Sequence, residues 1–124
     1  DDSQKISIVN DLFSAYLESY KEDSEDRDIH DLGKILSYTI DEIDIMDSEF
    51  TERLREGDSL SRWTEDAIFA DVQFTVTPDP DDEKSMDWNI PAGDFDGEYI
   101  HCFRVLFIDM VDGEYQIVDM GTGW

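Results

Sequence analysis

Basic residues are scarce in this chain: 9 Lys and Arg stand against 33 Asp and Glu in 124 residues, a formal net charge of −24. Phosphate binding depends on clustered Lys and Arg displacing counterions, so nucleic acid and anionic membrane are excluded as direct partners. The deficit is not confined to a tail, since 20 acids and 7 bases precede Ala67 and 13 acids and 2 bases follow. A single cysteine, Cys102, rules out an internal disulfide, a zinc ribbon and a CxxC redox pair. It lies mid-run in "HCFRVLFI" and reads as a buried, inert thiol. Two histidines, His30 and His101, are too few for a multi-histidine metal site. No run approaches the ~18 apolar residues that a membrane helix needs, and "GTGW" at the chain end has no following helix to cradle a phosphate.

What is present suffices for one core. Hydrophobic residues make up 40 % and aromatics 12 %, which at this length points to a single α+β domain spanning residues 1–124. "SQKISIVNDLFSAYLESY" carries Ile6, Val9, Phe13, Tyr16, Leu17 and Tyr20 at three- and four-residue steps, the period of a helix, with Asp2 or Ser3 as N-cap. After the charged run "KEDSEDRD", Ile29, Leu32, Ile35, Leu36 and Ile40 predict a second helix despite Gly33 within it. "DSEFTERLREG" predicts a third, capped by Asp47 or Ser48 and stopped by Gly57.

From Ala67 the period becomes two. Ile68, Ala70, Val72, Phe74 and Val76 form the buried face of a strand that Pro78 ends. Tyr99–Met110 and Tyr115–Met120 predict two further strands, joined at Asp112-Gly113, which supplies the positive φ angles of a tight hairpin. The first should be central, with Phe103, Val105 and Phe107 on one face and Cys102, Leu106 and Ile108 on the other. The guanidinium of Arg104 should then reach water or a carboxylate such as Asp119. Residues 78–98 between the strands read as a long acidic loop whose carboxylates bind cations weakly at most. Trp63 is expected in the core, and Trp88 is open to two readings, core or contact surface.

An amphipathic first helix "VNDLFSAYLESY", further short helices and a sheet closing on "DGEYQIVDMGTG" resemble the nuclear transport factor 2-like superfamily, particularly its small secreted bacterial members. The resemblance implies N-terminal helices packed on a curved antiparallel sheet, a cone-like α+β fold ending in a C-terminal β-hairpin. It also implies an apolar cavity, lined here by Phe13, Leu17, Tyr99, His101 and Tyr115. The family's strand count requires one more strand, expected around Met86 to Ile90.

No motif is specific enough to assign a catalytic residue, a metal or a cofactor. His101 and Cys102 are neighbours on a strand and point to opposite faces, so they do not form a nucleophile–base pair. The expected function is therefore a noncatalytic accessory domain that binds a small apolar ligand or another protein, with a homodimer through the sheet as one arrangement. Two other readings stand beside it: an acidic inhibitor or immunity-like protein that binds a basic partner, and a small cone-fold enzyme. The start "DDSQK", without Met or an apolar signal core, fits a mature exported or lipid-anchored chain, and a trimmed cytoplasmic protein equally.

Overall fold

The computed structural model describes residues 2–22, 32–57, 63–89 and 93–122. Helix α1 (Ser3–Glu18) and a 3-10 turn (Ser19–Lys21) are followed by strand β1 (Ile35–Ile45), helix α2 (Ser48–Gly57) and strand β2 (Ile68–Pro78). A 3-10 helix (Glu83–Asn89), strand β3 (Gly93–Phe95), strand β4 (Ile100–Val111) and strand β5 (Glu114–Gly121) complete the chain. The fold is α+β, an N-terminal helix against a curved, open, five-stranded antiparallel sheet that ends in a hairpin. Among the described residues no helix is long and apolar enough to cross a membrane.

Strand β4 is central. It pairs with β2 along one edge, and with both β3 and β5 along the other. Its residues alternate as the sequence predicts: Ile100, Cys102, Leu106 and Ile108 join the core beneath α1, whereas Val105 is buried on the opposite face. The β4–β5 hairpin turns at Asp112 (φ 52°) and Gly113 (φ 84°), the two left-handed residues such a turn requires.

The predicted second helix is instead β1; its proposed first residue, Ile29, lies outside the described residues. The reason is physical. Two irregularities, at Ile35/Ser37 and Ile40/Glu42, interrupt the ladder to β2, and each bulge shifts the alternation by one residue. Ile35, Tyr38, Ile40, Ile43 and Ile45 consequently face the core at steps of three and two, a spacing easily mistaken for a helical stripe. Gly33 marks the entry to the strand. Its φ is +90°, and a Cβ there would sit 2.4 Å from backbone atoms of Lys84 and Ser85.

Bulges in β1 and at Phe107/Ile108 against β5 bend the sheet around α1. Val9, Phe13 and Leu17 fill the concave face. Phe13 meets Phe74 edge-on at 4.8 Å, and Tyr20 meets Trp88 at 4.9 Å, arrangements that aromatic quadrupoles favour. Tyr38 links strand to helix, its hydroxyl donating to Glu18 Oε2 at 2.8 Å. On the convex face Trp63 stacks on Phe107 and meets Phe69 edge-on. The Thr64 amide and hydroxyl both donate to the buried Asp109 carboxylate, which fastens this segment to β4.

Two further expectations are corrected. Arg104 reaches neither open water nor Asp119: only 5 % exposed, it donates from Nη1 to the Phe103 carbonyl at 2.7 Å and lies over the Phe74 ring. The ladder explains this position, because β3 pairs with β4 up to Cys102 and β5 only from Val105. The guanidinium sits at this gap between the β3 and β5 ladders and donates to a carbonyl of its own strand. The additional strand in the long loop is β3, whereas Met86–Asn89 belong to the 3-10 helix.

Candidate functional site: a groove at one end of the sheet

At the end of the sheet where β1 begins and β2 finishes, the chain leaves apolar side chains uncovered. Bulging after Ile35 turns Leu36 outward, 50 % exposed. In the 3-10 helix, with three residues per turn, Ser85 and Trp88 share the inner side. Trp88 is fully buried and its indole N–H donates to the Gly33 carbonyl at 3.0 Å, which settles its reading as core. Met86, out of phase with that pair, is turned to solvent, as is Phe95 on β3. Leu36, Pro78, Pro80, Met86 and Phe95 line a groove of about 440 Å³, with Asp79, Glu83 and Glu98 among the acidic residues that border it.

Carboxylates shape this region as turn formers. Asp82 accepts the Lys34 and Lys84 backbone N–H groups at 2.9 and 3.0 Å, and Asp79 accepts that of Asp81 at 2.9 Å. Asp96 Oδ1 accepts the N–H groups of Glu98 and Tyr99 at 2.9 and 2.8 Å, across a turn in which Gly97 has φ +105°. These bonds, the Tyr99 amide first, hold the Asp96 carboxyl down to about 2. Among the described residues no group of three His, Cys, Asp or Glu side chains is arranged to hold a metal ion.

Adjoining the groove through Thr77 is a recess of about 400 Å³, lined also by Ser37, Tyr38, Thr39, Thr75 and Tyr99. His101 stands beside it. Its Nε2 lies 2.9 Å from Asp96 Oδ2 and its Nδ1 3.1 Å from Thr75 Oγ1, the order of a carboxylate–imidazole–hydroxyl triad. The hydroxyl proton is committed elsewhere, because Thr75 donates to Asp41 Oδ2 at 2.7 Å. The Thr75 hydroxyl therefore does not donate to the His101 ring, and the hydroxyl-to-imidazole bond that would activate it is missing. Cys102, on the opposite face, has its thiol pushed up to about 11 by burial, so it is protonated and unreactive at neutral pH.

The five residues expected to line one cavity separate between the two faces of the sheet. Phe13 and Leu17 are fully buried beneath α1, and Tyr115 packs half-buried against the same core from β5. Tyr99 and His101 are exposed beyond the sheet, at the recess. His30 and Trp124 lie outside the described residues. Sequence reasoning missed Leu36, Met86 and Phe95 as site residues: Leu36 was absorbed into the apolar stripe of the expected second helix, and Met86 and Phe95 lie in the segment read as an acidic loop. Comparisons of the chain with protein-family models, curated proteins and solved structures found no match, so the functional argument rests on geometry.

Proposed function

We propose that this chain is a noncatalytic binding domain whose partner docks on the groove end of the sheet. One observation carries the reading: among the described residues six large hydrophobics are exposed, and Leu36, Met86, Phe95 and Tyr99 gather at this end. Scattered exposed hydrophobics are ordinary, whereas a contiguous patch with a polar rim marks an interaction site. The commitment of Thr75 to Asp41 and the protonated Cys102 thiol favour binding over catalysis.

Within the proposal the domain is an exported bacterial accessory module of the nuclear transport factor 2-like kind, supported by its amphipathic first helix, curved sheet and closing hairpin. An open groove suits a segment of another protein better than an enclosed small ligand. The reading is tested by selecting binders from a displayed peptide library of unbiased charge and mapping them by amide NMR shifts. Shifts should concentrate at Leu36, Met86, Phe95 and Tyr99. Binders that map instead to α1 or the β5 edge contradict the assignment.

A further inference from the structure

Resting on the reading that the groove is the docking surface, we infer that its occupant is a cationic amphipathic segment of a partner protein, two or three apolar side chains flanked by Lys or Arg. The apolar floor alone does not select charge; the rim does. Glu83 and Glu98 border the groove, and the Glu98 carboxylate also accepts the Tyr99 hydroxyl at its edge. Asp79 adds a third, although its Oδ1 already receives the Asp81 amide. The neighbouring acid-lined hollow holds Asp79, Asp81, Asp82 and Glu83 against two bases, Lys34 and Lys84.

Any partner that covers the groove dehydrates these rim carboxylates, an unfavourable step unless cations replace the lost water. A neutral apolar occupant leaves that loss uncompensated. A second copy of this chain brings another −24 and sets one acidic rim against another, and an anionic lipid fares no better. A cationic amphipathic segment satisfies floor and rim together, and the field of the whole molecule steers it inward.

The test uses the full chain and three short synthetic peptides with one Leu/Phe pattern, their polar positions filled by Lys, Gln or Glu. The Lys peptide should bind with shifts at Leu36, Met86 and Phe95, about tenfold tighter than the Gln peptide at low salt, and the Glu peptide should not bind. Raising salt from about 0.05 to 0.3 M should erode most of that advantage. The double variant Glu83→Gln/Glu98→Gln should weaken the Lys peptide severalfold without lowering Tm, and Leu36→Ser/Phe95→Ser should abolish groove shifts. If the Gln peptide binds the groove as tightly as the Lys peptide, the cationic partner is overturned while the docking surface stands. If the Lys peptide binds but Leu36→Ser/Phe95→Ser does not weaken it, the cations are held by the acidic coat and the inference fails. If no peptide moves groove resonances, both readings fall.

Discussion

The concave face of the sheet and its groove end use the same kinds of residue in opposite ways. Under α1, Phe13, Leu17, Phe74, Trp88 and Ile100 are each less than 2 % exposed, and the Phe74 ring meets those of Phe13 and Trp88 at 4.8 and 6.1 Å. At the groove, Leu36, Met86 and Phe95 are 39 to 50 % exposed. The first set removes apolar area from water and so stabilises the fold at roughly 25 cal/mol per Å². The second set contributes little of this, yet an acidic chain whose solubility depends on its surface retains it. Apolar side chains beyond the needs of the core are available to a partner.

This contrast can be broken at several points. Trp88→Ala should have the largest effect, about 3 to 5 kcal/mol in chemical denaturation, because it opens a cavity among Phe74, Tyr16 and Tyr20 and removes the indole hydrogen bond to the Gly33 carbonyl. An effect below about 1 kcal/mol would mean that the concave face is not the organising core. Gly33→Ala should cost about 2 kcal/mol or more, since it forces a side chain into a left-handed backbone and against Lys84 and Ser85. A neutral Gly33→Ala would remove the account of how the chain enters β1.

Asp96 sharpens the comparison from the solvent side. Its carboxyl is held at about 2 in the fold against an ordinary 3.8. A depressed folded value stabilises above the unfolded one, so its contribution is complete above about pH 4 and is lost as pH falls toward 2. Asp96→Asn should flatten that part of the acid-stability profile. An unchanged decline between pH 4 and 2 would show that the turn bonds do not hold the charge.

Much of this architecture is legible in the sequence, and the failures have definite causes. Helix α1, helix α2 with Asp47 accepting the Phe50 amide at 2.8 Å, strand β2 and the β4–β5 hairpin each carry uninterrupted periodicity or an unambiguous turn signal. Strand β1 does not, because its bulges replace period two with steps of three and two. Residues 78–98 conceal β3, whose three residues are too few for any period. The candidate site escaped for a related reason. Leu36, Met86 and Phe95 come together only through the bulge, the 3-10 helix and β3, so no local pattern joins them, and Tyr99 and His101 fall on the far face from Phe13 once the strand positions are counted outward from β4.

Chemical denaturation of the triple variant Leu36→Ser/Met86→Ser/Phe95→Ser beside the parent chain tests the division between core and docking surface most directly. If the groove side chains are surplus to folding, the triple variant should unfold within about 1.5 kcal/mol of the parent, the sum expected of three surface substitutions. A loss of more than about 3 kcal/mol, comparable with Trp88→Ala, would show that these side chains hold the fold together and would contradict the account.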